Sequence, residues 1–189
     1  MRKMAHAGKT IENPITGARI IFLKTASDTN GELLQMDYVM QPHGFVAAQH
    51  VHPLQEERFE IRAGTVSFLS GGEPERKMSA GQTLVVPAGT PHIWWNPGEL
   101  EAHVLLEFRP ALRTETFFET LFGLAADGKC NKKGLPNPLQ LAVIGREFDK
   151  EGYLARPPLP IQRTLFGALA PIGKLLGYRA QYPQYSGPE

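Results

Sequence analysis

The sequence predicts an all-β core followed by a mostly α-helical C-terminal extension. Up to Pro110, short β-rich runs alternate with turn signals at intervals of about 8–12 residues, as in a sandwich or barrel. Beyond it, apolar residues recur at helical spacing, and no strand–helix–strand pattern indicates a doubly wound fold. We therefore divide the chain into an N-terminal arm (1–17), a β-domain (18–110) and a helical extension (111–189).

Alternation of apolar and polar residues supports the β assignment. Successive strand side chains point to opposite faces, so Glu32–Gln41 gathers Leu34, Met36, Tyr38 and Met40 on one face. Along Glu57–Arg62, the shared face carries Glu57, Phe59 and Ile61. Four further runs are predicted as strands: Ala18–Thr25, Thr65–Leu69, Gln82–Val86 and His103–Phe108.

Three helices are predicted in the extension. Thr114–Ala126 begins with Thr114 as a candidate N-cap, and Pro138–Phe148 begins with a proline that suits the first helical turn. The third, Pro160–Leu176, has an apolar stripe: Ile161, Leu165, Leu169, Ile172 and Leu176. The final segment, Tyr178–Glu189, is predicted to be an extended tail.

Composition excludes several classes of protein. Hydrophobic residues make up 42% and charged residues 21% of 189 residues, as in an ordinary globular protein. The net charge of +1 argues against nucleic acid as a partner. A single cysteine, Cys130, cannot form an internal disulfide. Without a secretory signal or a long apolar run, the expected location is the cytoplasm.

The histidines are concentrated in the β-domain, where one segment reads Gly44-x5-His50-x-His52-x4-Glu57-x6-Gly64. Residues two apart in a strand share a face, so His50 and His52 present two imidazoles together. Glu57 lies on the apolar face of the next strand. A buried carboxylate is costly unless it is paired or bound to a cation.

A second segment reads Gly81-x5-Pro87-x-Gly89-x2-His92-x3-Asn96. His92 follows a proline-flanked turn, so its strand begins abruptly and its side chain is well fixed. Three imidazoles and one carboxylate suit a divalent first-row ion: Fe, Mn, Ni, Co, Cu or Zn. No cysteine is nearby, which argues against a structural zinc site of the thiolate type.

Together, the two segments resemble the two signature motifs of the cupin superfamily. The resemblance implies a small jelly-roll barrel, a double-stranded β-helix, with one metal near its mouth. It also implies His50, His52, Glu57 and His92 as the metal ligands. Glu56 fits the family's looser spacing, but the six residues before Gly64 and the strand alternation both select Glu57.

Strand parity predicts a substrate pocket lined by apolar and aromatic side chains. If His92 points inward, so do Trp94 and Asn96. The predicted pocket residues are Tyr38, Met40, Phe59, Trp94 and Asn96. The sequence assigns no role at the site to the other histidines, His6, His43 and His103.

The predicted function is that of a metal-dependent, dioxygenase-type oxidoreductase acting on a small, partly apolar or aromatic molecule. Two alternatives stay open: a non-catalytic ligand-binding or sensory protein, and a metal-dependent isomerase or lyase. No catalytic residue beyond the ligands is assigned. We expect the protein to be a homodimer and the extension to cover the barrel. The extension could instead form the dimer interface, or segment 164–178 could lie on a membrane.

Overall fold

The computed structural model describes residues 5–187 and contains two antiparallel sheets. The six-stranded sheet has the order β1-β2-β3-β10-β5-β8, and the five-stranded sheet has the order β11-β4-β9-β6-β7. The strands are β1 (Thr10–Asn13), β2 (Ala18–Lys24), β3 (Leu34–Met40), β4 (His50–Val51), β5 (Glu56–Ala63), β6 (Thr65–Ser70), β7 (Arg76–Ser79), β8 (Thr83–Val86), β9 (His92–Trp95), β10 (Ala102–Arg109) and β11 (Tyr153–Leu154).

The apolar faces of both sheets share one core. The residues that alternate along β3 and β5 are buried as predicted, because their faces point between the sheets. Phe59 of the six-stranded sheet packs edge-on against Phe68 and Trp94 of the five-stranded sheet, with ring centroids 4.8 and 5.5 Å apart. This packing confirms an all-β core between two antiparallel sheets.

The described part of the extension contains four α-helices, with β11 between the second and the third: α1 (Thr114–Ala126), α2 (Pro138–Glu147), α3 (Leu159–Leu175) and α4 (Pro183–Ser186). The first three lie close to their predicted bounds. Asn137 caps α2, its side chain accepting the Leu139 and Gln140 N–H groups at 3.1 and 3.0 Å. None of the helices among residues 5–187 combines the length and apolar character needed to cross a bilayer.

Thr114 does not cap α1. The cap position is Arg113, which makes no side-chain capping bond. The Thr114 hydroxyl instead accepts a hydrogen bond from Gln55 Nε2 at 2.8 Å. The buried Gln55 amide therefore uses this hydroxyl to join the barrel to the start of the helix.

Both ends of the chain contain more structure than predicted. The arm contributes an edge strand, because β1 pairs antiparallel with β2. The tail contains α4, whose Tyr185 ring is buried against Gly123 of α1. Residues 1–4 and 188–189, which belong to the predicted arm and tail, lie outside the described residues.

Most of the apolar stripe of α3 does not pack on α2. Ile161, Leu165 and Ile172 are 49%, 48% and 49% exposed. The helix instead approaches α2 through small residues: a Cβ at Gly173 would lie 2.8 Å from Val143 Cγ2. Close approach at this point requires a small side chain, while Phe166 and Leu169 pack beside it against the cluster of Ala142, Val143 and Ala170.

Candidate metal centre

Two short strands of the five-stranded sheet and one long strand of the six-stranded sheet position the candidate ligands. His50 of β4 and His92 of β9 are direct partners in the antiparallel ladder, and His52 follows β4. Glu57 lies near the start of β5, in the opposite sheet. The four predicted side chains thus meet from both walls of the barrel.

The geometry of this cluster fits a single metal ion. One nitrogen or oxygen from each of the four side chains lies within 4.8 Å of the others. Glu57 Oε2 is 2.7 Å from His92 Nε2 and 3.4 Å from His52 Nε2. These three buried atoms nevertheless lack a hydrogen bond of normal geometry. Because such atoms are costly to bury without partners, the donor set fits a cation that would satisfy them together.

Each of the three imidazoles uses its Nδ1 atom to bond a backbone carbonyl. A carbonyl oxygen only accepts, so Nδ1 carries the proton and a neutral ring keeps its Nε2 lone pair for a metal. The three bonds are His50 to Ala48 at 3.0 Å, His92 to Thr90 at 3.0 Å and His52 to Glu151 at 2.5 Å.

Burial and the charges of neighbouring groups shift the pKa values of the four side chains in different directions. Burial, reinforced by the neighbouring imidazoles, lowers the pKa of His50 to about 3, and burial also lowers the pKa of His52. Burial opposes ionisation of Glu57 and His92, but their attraction outweighs it: the Glu57 pKa is lowered and the His92 pKa raised. The metal-free cluster therefore holds one ion pair and two neutral rings.

The cluster opens onto a cavity of about 160 Å³ between the barrel and the helices, lined by His50, His52 and Glu57. Two of the predicted pocket residues, Tyr38 and Trp94, lie in its wall. Most of the remaining lining is apolar. Such a cavity suits a small ligand that is itself mostly apolar.

The other three predicted pocket residues lie elsewhere. Met40 and Phe59 are fully buried in the core between the sheets. The Asn96 amide is already hydrogen-bonded to the backbone near the turn that follows β9. Its Nδ2 donates to three carbonyl oxygens, those of Met40, Gln41 and Leu100. Parity placed these side chains inward correctly, but their depth in the barrel and their backbone bonds keep them from the cavity.

The remaining alternatives are also placed by the structure. Glu56 is exposed, whereas Glu57 is buried in the cluster. His43 and His103 lie near surface carboxylates, at 3.4 Å from Glu99 and 3.5 Å from Glu101. Neither histidine belongs to the cluster.

The sequence does not indicate that the extension reaches the site. Its side chains form much of the cavity wall: Phe117, Phe118, Leu121, Leu141, Ile144 and Phe166. It also adds β11 beside β4, pairing Leu154 with His50 and Tyr153 with Val51. The aromatic stripe of α1 was visible in the sequence, but nothing in it indicated which surface the stripe would cover.

Comparison with family models gives a match within the barrel. The family model for the cupin domain matches residues 36–108, the segment that carries all four cluster residues. This segment of the chain is therefore similar to a cupin domain.

A curated relative, a probable oxidoreductase named virH from Hypocrea virens, is 28% identical over 148 residues. The match covers 72% of this chain, and it spans 66% of the relative's length. This relative matches well beyond the cupin domain alone.

Two solved structures are similar to part of this chain. One, described as a predicted oxalate decarboxylase from Thermotoga maritima, is 19% identical, with a TM-score of 0.49 and coverage of 55% of this chain and 92% of that one. The other, an RmlC-like cupin from Shewanella frigidimarina, is 18% identical, with a TM-score of 0.48 and coverage of 60% and 96%.

Proposed function

We propose that this protein is a metal-dependent oxidoreductase of the dioxygenase type that acts on a small, largely apolar or aromatic molecule. The observation that carries the proposal is the juxtaposition of a four-ligand cluster and an apolar cavity. His50, His52 and Glu57 line that cavity, so a ligand bound there lies beside the donor atoms.

The residues supply what such chemistry requires. His50, His52, Glu57 and His92 would hold the ion, and a redox-active first-row ion supplies Lewis acidity and electron transfer to dioxygen. An ion held by these four residues would remain open to a further small ligand. The apolar walls exclude water and thereby strengthen electrostatic interactions within the cavity.

Tyr38 is the side chain best placed to orient a substrate oxygen. Its ring packs on Trp94 at a centroid distance of 4.8 Å and lines the cavity. Burial, followed by the charge of Glu57, raises the pKa of the Tyr38 phenol, so its proton is retained. We propose that the hydroxyl donates a hydrogen bond to a carbonyl or enol oxygen of the substrate.

The distant relative supports the oxidoreductase assignment through its own description as a probable oxidoreductase. A preference for uncharged substrates is supported by the cavity, whose charged or ionisable lining is confined to the cluster and Tyr residues among the described residues. A sugar phosphate would instead require several Arg or Lys side chains.

The test combines metal content with oxygen consumption. Purified protein should contain close to one transition-metal ion per chain, and His50→Ala should remove most of it. His103→Ala is the matched control, because that histidine lies outside the cluster. Oxygen uptake is then measured with a panel of enols, 1,3-diketones and catechols.

Oxygen uptake that is lost in His50→Ala and retained in His103→Ala supports the proposal. Equal metal content in native and His50→Ala protein contradicts the site. Tight binding without turnover favours the ligand-binding alternative, and turnover without oxygen uptake favours an isomerase or lyase.

A further inference from the structure

His52 differs from the other two histidines in how its ring is held. His50 and His92 bond carbonyls only two residues earlier in the chain, at Ala48 and Thr90. The carbonyl that holds His52 belongs to Glu151, which is 99 residues away in the extension. The orientation of one candidate ligand therefore depends on a segment outside the cupin domain.

That segment is a turn fixed to the barrel by its backbone. After α2, the N–H groups of Glu151 and Gly152 both donate to Phe148 O, at 3.1 and 3.0 Å. The chain then pairs with β4 as β11, and Ala155 N donates to Gln49 O at 2.9 Å. The Glu151 carbonyl thus reaches His52 from a turn anchored on both sides.

Arg113 fixes the same turn from the start of α1. The Glu151 side chain is buried, and its Oε1 accepts from Arg113 N and Nε at 3.2 and 3.4 Å. The guanidinium also donates to Glu147, to the carboxylate at 3.0 Å and to the carbonyl at 2.7 Å. Its Cζ lies 4.9 Å from the centroid of the Phe148 ring. One arginine therefore joins the start of α1 to the end of α2.

We propose that Arg113 and Glu151 are positioning residues that hold the His52 ring with Nδ1 protonated and Nε2 free for the metal. The proposal rests on the proposed metal site but assigns a role to residues of the helical extension. Outer hydrogen bonds of this type fix the tautomer and orientation of a ligating imidazole, and their loss weakens metal binding by about 10- to 100-fold.

The experiment uses the full-length chain and two independent readouts. Binding of Co(II) alone is measured by competition with a chelator of known affinity. Imidazole ¹⁵N chemical shifts of the metal-free protein report which ring nitrogens of each histidine carry a proton. The variants are Arg113→Met, which keeps the apolar stem on Phe148, and Glu151→Gln, which keeps the shape of the carboxylate; Arg113→Lys tests rescue.

We expect Co(II) to bind about 10- to 100-fold more weakly to both variants, with partial recovery in Arg113→Lys. Only the His52 signals should shift towards a mixture of tautomers, while those of His50 and His92 stay unchanged. Arg109→Met, an exposed arginine outside this contact, should match the native protein. General loosening of the fold would disturb all three histidines together.

Native-like Co(II) affinity and native His52 shifts in Arg113→Met and Glu151→Gln would overturn the proposal. So would a native metal-free protein whose His52 carries its proton on Nε2, and this result needs no variant. Failure of the native protein to bind any transition ion contradicts the proposed metal site instead. The tautomer measurement then still decides whether the extension orients His52.

Discussion

Glu57 Oε2 and His92 Nε2 lie 2.7 Å apart, with side chains 3% and 0% exposed. Glu57 belongs to the six-stranded sheet and His92 to the five-stranded sheet. The pair therefore joins the two walls of the barrel across its interior. Removing either partner leaves the other buried without the opposite charge that stabilises it.

The first prediction concerns this pair in the metal-free protein. Replacing His92 by Ala leaves the Glu57 carboxylate buried, so we expect the free energy of unfolding to fall by about 3–5 kcal/mol. His50→Ala should cost less, because that ring is neutral and its pKa is about 3. Urea unfolding near neutral pH with chelator present measures both values; an equal loss would contradict the charge assignment.

A second prediction concerns pH. Because the pKa of His50 falls from 6.5 to about 3 on folding, the unfolded chain binds an extra proton between these values. Stability contributed by the neutral ring is therefore present above pH 6.5 and lost as the pH falls. His50→Gln removes this linkage, so its loss of stability below pH 6.5 should be shallower, by a difference in slope that grows to about 1.4 kcal/mol per pH unit near pH 5.

The pH comparison must use metal-free protein, because a bound ion also competes with protons. His92 contributes in the opposite direction: its raised pKa adds stability that is complete below pH 6.5 and lost as the pH rises. Native and His50→Gln protein share this contribution, so their difference isolates His50. Parallel curves for the two proteins would refute the prediction.

Tyr38→Phe is expected to separate binding from folding. The Tyr38 hydroxyl makes no hydrogen bond to the described residues, so its removal should leave the free energy of unfolding unchanged or slightly higher. A substrate oxygen that accepts from it would lose about 0.5–1.5 kcal/mol of binding free energy. The check is KM and kcat for whichever compound supports oxygen uptake, with Tyr178→Phe as control. If Tyr38→Phe has the same KM and kcat as the native protein, the hydroxyl does not bind the substrate.

Gly145 and Phe166 provide a test of the cavity wall. A Cβ at Gly145 would lie 2.6 Å from Phe166 Cε2, and both residues line the cavity. Gly145→Ala alone should destabilise the protein by about 1–3 kcal/mol through overpacking. In a Phe166→Ala background, the same change should stabilise by up to about 1 kcal/mol, because alanine favours helix.

This reversal of sign is measured with four proteins in a double-mutant cycle by chemical unfolding. If Gly145→Ala costs the same free energy in both backgrounds, the two residues do not press on each other. The native and single-variant proteins also serve as controls for the cavity, since Gly145→Ala should change ligand selectivity while leaving Co(II) affinity intact.

The four-residue cluster was predictable because strand parity and spacing act locally. His50 and His52 share a face by alternation, and the apolar neighbours of Glu57 identify its face as the interior. Alternation indicated the face of each side chain within its own strand, and the resemblance to the cupin motifs brought His92 into the same set. The choice between Glu56 and Glu57 followed from the same alternation.

The contribution of the extension was not predictable in this way. Glu151 holds His52 through a backbone carbonyl, a group that every residue carries and that leaves no mark in the sequence. For α3, periodicity located the helix but not its packed face, because small residues such as Gly173 make the contact. Strand β11 contains only two residues, too few for alternation to be recognised.

The pairing of β11 with β4 also determines which strand edges are open to other molecules. Without β11, the two-residue strand that carries His50 would end the five-stranded sheet and expose an unpaired backbone edge. The chain covers that edge with its own Tyr153 and Leu154, so the histidine strand is internal. A partner that adds a strand to this sheet has to use β7 or the outer side of β11, away from the candidate ligands.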